Sequence, residues 1–186
     1  MNHYISLAKS AVENYVKEGK SIEPPSDLPK EFYEKRAGTF VTIKKGNDLR
    51  GCIGTYLPTR PTIVEEIIRN AIAAATEDCR FGSVKKEELS SLSYEVYILS
   101  EPEPVEDIKT LDPKKFGIIV KTTPFAYPNQ DVVFDGRTPL KSGLLLPDLQ
   151  GIDTVEEQFI LACQKGQIDP AKEKTFTYRF TVEKHQ

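Results

Sequence analysis

The stretch Gly38–Tyr56, GTFVTIKKGNDLRGCIGTY, decides the architecture. Gly38–Lys45 is rich in β-branched residues, which suit a pleated, half-buried surface. Lys45-Gly46-Asn47-Asp48 carries the residue types of a tight turn. Leu49–Tyr56 then returns as a second strand, so the segment reads as an antiparallel hairpin, closed by Pro58 and Pro61.

Outward from the hairpin the pattern alternates between the two regular structures. Upstream, Tyr4, Leu7, Ala8, Ala11, Val12 and Tyr15 recur at helical spacing, with Gly19 as a stop, and the prolines of Ser21–Pro29 mark an extended connection. Downstream, Thr62-Ile63-Val64-Glu65 has the form of a capping box, in which a hydroxyl and a glutamate serve the first free N–H groups of a helix. Ile63, Ile67, Ala71, Ala74 and Ala75 continue it as an apolar stripe to about Glu77, and the alanines predict close packing. Glu87–Leu89 reads as a short helical turn. Leu92–Leu99 alternates as a strand, with Leu92, Tyr94, Val96 and Ile98 on one face. Gly117–Thr122, Asp131–Phe134 and Leu140–Leu146 are further short strands, and they predict a smaller β-rich lobe over about 105–147. Thr154-Val155-Glu156-Glu157 opens a last helix that turns Val155, Phe159, Ala162 and Cys163 inward and ends near Gly166. Thr175–Val182 alternates as one final strand. Hairpins mixed with helices, without βαβ regularity, give an α+β class: an antiparallel sheet flanked by helices. The length of 186 residues fits one domain, 1–186.

Composition narrows the function classes. The 39% hydrophobic and 28% charged residues are globular values. A net charge of −3 argues against nucleic acid, whose recognition rests on a basic face. Cysteines Cys52, Cys79 and Cys163 are sparse and lack CxxC spacing, which fits a reducing compartment. His3 and His185, the two histidines, stand near opposite ends, so a zinc site of the Cys/His kind is not expected. No apolar run reaches the roughly 18–20 residues that span a bilayer, and no secretory leader is visible, so the expected location is cytoplasmic.

Chemistry concentrates in the returning strand. Period-two alternation places Arg50, Cys52, Gly54 and Tyr56 on one face and Leu49, Gly51, Ile53 and Thr55 on the other. A guanidinium beside Cys52 would favour the thiolate, the nucleophilic form. Gly54 on the same face either leaves room for a small ligand or lets another backbone approach closely, and Gly51 can mark a bulge. Read this way, Cys52 and Arg50 are catalytic candidates, and Gly51, Gly54 and Tyr56 binding candidates. The competing reading is a small buried hydrophobe at Cys52. With both histidines remote, a base would have to be a carboxylate, a tyrosine or water. Asp78 and Arg80, after the second helix, either line a cleft, or Arg80 serves the helix's last carbonyls while Phe81 anchors the exit. Tyr127, Asp131 and Asp135 form no constellation.

These residues also carry a resemblance. Leu49–Thr55 (LRGCIGT) resembles the signature of the AMMECR domain family, and Gly38–Ile43 resembles the strand before it. Asp78–Phe81 (DCRF) resembles the family's Asp-Pro-Arg-Phe, and Leu89–Glu101 the strand that follows. Gly143–Leu149 with Asp153–Gln158 is similar to prokaryotic members called AmmeMemoRadiSam system protein A. Cys79 in place of the common proline, and Gly82-Ser83 after it, depart from the pattern and loosen the transfer of a binding role to Asp78 or Arg80. The resemblance covers essentially the whole chain. It implies a bilobed α+β fold and, as partners, a Memo-like protein and a radical-SAM protein; it names neither a cofactor nor a reaction.

Overall fold

The structure, a computed structural model, describes residues 2–125 and 140–186. Contacts divide it into two compact units, Met1–Glu101 with Glu183–Gln186, and Pro102–Val182.

The first unit is built on the hairpin. Strands β1 (Thr39–Lys45) and β2 (Asp48–Gly54) pair antiparallel, with Lys45 opposite Asp48. Gly46, at φ +62, takes the first turn position, where a two-residue hairpin of this hand requires a positive φ. β3 (Leu92–Leu99) pairs antiparallel with the other side of β1. β8 (Val182–His185) completes the sheet in the order β2-β1-β3-β8. Helix α1 (His3–Glu18) is capped by the Asn2 side chain, which accepts from the N–H groups of Tyr4 and Ile5. Helix α2 (Glu31–Glu34) is one turn. Helix α3 (Ile63–Thr76) starts at the expected capping box of Thr62 and Glu65. Both long helices pack on one face of the sheet. Leu7, Ala8, Ala11 and Val12 of α1 and Ile63, Ile67, Ala71 and Ala74 of α3 share a core with Val41, Ile43, Tyr94, Val96 and Ile98. The 3-10 turn Lys86–Ser91 leads into β3.

The second, smaller unit carries β4 (Glu103–Val105), β5 (Gly117–Lys121), β6 (Ser142–Leu145) and β7 (Phe176–Phe180) in the order β4-β7-β5-β6. Helix α4 (Val155–Lys165), opened by the capping box of Thr154 and Glu157, packs Val155, Ala162 and Cys163 with Ile118 and Val120. Cys163 is buried, and burial pushes its thiol pKa up.

The class is α+β, with helices and two antiparallel sheets. One of the expected strands is divided. The strand expected over Thr175–Val182 is two: β7 belongs to the second sheet, β8 to the first, and the break falls at the exposed Thr181. Alternation continues across such a break, so periodicity alone does not reveal a change of sheet. The strand expected at Asp131–Phe134, with Tyr127, Asp131 and Asp135, lies outside the described residues. Among the described residues no helix is long and apolar enough to cross a membrane.

Candidate functional site

With α1 and α3 on one face of the first sheet, the alternate side chains of its strands form the other. Phe40, Thr42 and Lys44 of β1 lie there, opposite in phase to the core residues Val41 and Ile43. Glu95 and Tyr97 of β3 lie there for the same reason. The register sets Thr42 opposite Cys52 on one side and opposite Glu95 on the other, so thiol, hydroxyl and carboxylate form a row across three strands.

Cys52 is half-buried in this row. Thr42 Oγ1 donates to Cys52 Sγ at 3.2 Å. The Cys52 backbone N–H points out from the sheet edge and donates to Asp78 Oδ2 at 2.9 Å. Asp78 thereby caps an edge strand that would otherwise present a free donor. Arg80 grips the same carboxylate, with Nε 3.0 Å from Oδ1 and Nη2 2.7 Å from Oδ2. These hydrogen bonds from Arg80, opposed by burial and reinforced by the N–H groups of Cys52 and Arg80, bring the Asp78 pKa from 3.8 down to about 2. The two residues thus join the strand. The Arg80 side chain is itself more than half exposed, and its charge interacts with both Cys52 and Cys79.

Arg50 lies elsewhere than strict alternation predicts. The β1–β2 register runs Ile43 to Gly51 and then Lys44 to Leu49, leaving Arg50 as the extra residue of a β-bulge. A bulge re-aims a side chain. The Arg50 guanidinium meets Glu88 of the 3-10 turn through Nε at 3.0 Å and Nη2 at 2.9 Å, and its Nη1 donates to the Gly82 carbonyl at 2.9 Å. The hydrogen bonds from Arg50, then that from the Lys85 N–H, hold the Glu88 carboxyl at about 2.

The glycines answer the alternative left open for them. A Cβ on Gly51 would penetrate the Ala74 carbonyl oxygen of α3, and one on Gly54 would strike the Phe40 ring and the Thr39 carbonyl. Close approach of neighbouring atoms fills both spaces. Tyr56 falls beyond the end of β2, in the turn whose backbone rests on Gly38.

Several site residues escaped the sequence reading. Glu95 Oε2 accepts from the Tyr97 hydroxyl at 2.6 Å, and Glu95 Oε1 takes Lys44 Nζ at 2.8 Å and Lys184 Nζ at 3.3 Å. Burial would raise the Glu95 pKa, but Lys44, Tyr97 and Lys184 outweigh it and bring the value down. Burial first, then the hydrogen bond to Glu95 and the charges of Glu95 and Cys52, push the Tyr97 phenol well above its ordinary value. The available signal was the polar phase of two alternating strands. On the helix side, Glu66 is fully buried and ties down the chain leaving β2, accepting from the N–H groups of Thr59 and Arg60 at 2.7 Å each. Its signal was a polar pair four apart, Glu66 and Asn70, inside an apolar helix.

The two depressed carboxylates make the edge strand acid-sensitive. A carboxyl with a lowered folded pKa contributes stability above its unfolded value, and that contribution disappears as pH falls through the folded one. Unfolding midpoints in urea should therefore drop between about pH 4.5 and 2. The double variant Asp78→Asn/Glu88→Gln should start less stable and show a flatter decline. A decline parallel to that of the unaltered protein would mean that these pairs do not hold the strand.

The arrangement has relatives. The AMMECR1 family model matches residues 5–185. A protein of Thermotoga maritima is 47% identical over 184 residues, covering 98% of this chain and 97% of that one. Protein CA_C1420 of Clostridium acetobutylicum is 41% identical over 184 residues, but the match covers only 36% of that longer protein. The crystal structure of the uncharacterized protein PH0010 from Pyrococcus horikoshii superposes with a TM-score of 0.81 at 36% identity, over 97% of this chain and 88% of that one. Matched along almost its entire length, and in fold as well as sequence, the chain belongs to the AMMECR1 family.

Proposed function

We propose that the domain is a thiol-centred site that binds and acts on a small molecule or a protein segment at the outer face of its first sheet, with Cys52 as the reacting group. The observation that carries this reading is the hydrogen bond from Thr42 Oγ1 to Cys52 Sγ on a polar sheet face. A donor aimed at sulfur favours the charged form of the thiol, and a cationic neighbour such as Arg80 acts in the same direction. Glu95 and Tyr97 stand on the same face as groups able to exchange protons. Asp78 and Arg80 position the strand segment that carries the thiol, and Arg50 with Glu88 fixes its other side.

The test is alkylation of the native protein, read cysteine by cysteine by mass spectrometry. Cys52 should label at pH 7 faster than the more exposed Cys79, while Cys163 labels only after unfolding. Thr42→Val, which removes the donor and keeps the shape, should slow Cys52 several-fold. A Cys52 that is inert until the protein unfolds would remove the basis of this reading.

A second reading, a non-catalytic module that docks on a partner, draws on the Clostridium relative, in which the matched region is a minor part of a larger chain. On the family resemblance we propose a Memo-like and a radical-SAM protein as the companions. Co-elution of the purified proteins with Cys52→Ser intact as a binder would favour docking over chemistry, and separate elution would count against these partners.

A further inference from the structure

We infer that the molecule taken up at the Cys52 face is a small anion, whose carboxylate or phosphate sits at the Lys44–Lys184 pair while the rest of it lies over the thiol. The inference rests on Cys52 being the reacting group. It is carried by an imbalance of charge that the strand register creates. Arg50 is matched by Glu88, and Arg80 by Asp78. Lys44 and Lys184 instead converge on one oxygen of one carboxylate, Glu95 Oε1, at 2.8 and 3.3 Å. At Glu95 two ammonium groups therefore meet one carboxylate, a local surplus of positive charge on a chain whose net charge is −3.

The lysines are placed as a binding pair. Glu95 is 8% exposed, whereas the side chains of Lys44 and Lys184 are 35% and 44% exposed. The carboxylate thus fixes the ammonium groups from beneath while solvent still reaches them from above. The Tyr97 ring, 5.6 Å from Lys184 Nζ, steadies that side chain further. Glu95 and Cys52 are two strands apart, about 10 Å at the usual strand spacing, which is the span of a small organic molecule. A neutral ligand would gain nothing from the surplus charge, and a cation would be repelled by it.

Two reagents that differ only in charge test the inference. Iodoacetate and iodoacetamide both alkylate a thiolate by displacing iodide, and only the first is an anion. Their rate ratio is measured at Cys52 and at Cys79 of the same native molecules. The charge of Arg80 acts on both thiols, so Cys79 is the internal reference for it. The ratio at Cys52 should favour iodoacetate about five-fold relative to Cys79, as expected for unit charges acting across roughly 10 Å of partly screened surface. Inorganic phosphate should slow iodoacetate at Cys52 saturably. Lys184→Gln should shrink the preference, and Lys184→Arg, which keeps the charge, should restore it. Equal ratios at the two thiols, with Cys52 reactive, would overturn the anion site alone. A Cys52 that ignores both reagents would overturn the thiol reading and this inference with it.

Discussion

Gly51→Ala is expected to destabilise the protein by about 3 kcal/mol or more, at the upper end of what overpacking a core position does. The added methyl would point at the Ala74 carbonyl oxygen of α3, and the space is already closed. A clash with a flexible side chain can be relieved by a rotamer change. This one is with helix backbone, whose carbonyl is held in its ladder, so strand and helix must separate. The alanines at 73–75 have the same origin, since small side chains let α3 settle this closely onto the sheet. The gain from stiffening the unfolded chain, about 0.4–1 kcal/mol for Gly→Ala, does not offset it. Two controls calibrate the result. Gly82→Ala meets nothing and should be neutral within about 0.5 kcal/mol. Gly46→Ala also meets nothing but must hold a positive φ, and should lose about 1 kcal/mol. Urea midpoints with unchanged slopes would read all three. If Gly51→Ala matched Gly82→Ala, the seating of α3 on β2 described here would be wrong.

The hairpin, α3 and α4 were legible because local chemistry alone specifies them: turn residues at 45–48, and hydroxyl–glutamate pairs at 62–65 and 154–157. Cys52 stands out in the sequence as a candidate through its LRGCIG setting. Its surroundings do not, because they depend on which strands become neighbours. Thr42 comes opposite it only through the β1–β2 register, Glu95 extends the row only through the β1–β3 register, and Lys184 arrives from the far end of the chain. Alternation placed Arg50 beside the thiol, and the bulge between Ile43 and Lys44 turned it toward Glu88 instead. A bulge inserts one residue without changing the local residue types, so the pattern carried no sign of it. Arg50 braces the strand against the 3-10 turn, and Arg80 is linked to the strand through Asp78.

Glu66→Leu should be as damaging as the Gly51 substitution, for a polar reason. Glu66 is fully buried on α3, and its two oxygens accept from four donors at 3.0 Å or less: the Thr55 and Thr59 hydroxyls and the Thr59 and Arg60 N–H groups. Asn70, one turn further along α3, binds the Thr39 carbonyl and hydroxyl, so the helix holds both β1 and the segment that follows β2. Leucine fills a similar volume and accepts nothing. Each abandoned buried donor costs about 1–3 kcal/mol unless the chain opens to water, so a loss of about 3–5 kcal/mol is expected. Glu66→Gln should lose much less, about 1 kcal/mol. Its carbonyl oxygen can take the two N–H groups while its NH₂ donates to the two hydroxyl oxygens, and only the longer contact with Asn70 Nδ2, 3.4 Å, then opposes donor to donor. Amide exchange separates this account from a simple loss of packing. In the leucine variant the Thr59 and Arg60 amides should exchange faster than the amides of α3 itself, and in the glutamine variant they should stay protected. Equal stability of the leucine and glutamine variants would mean that the 55–60 segment satisfies its donors with water, and that the exit from the Cys52 strand is held by something other than Glu66.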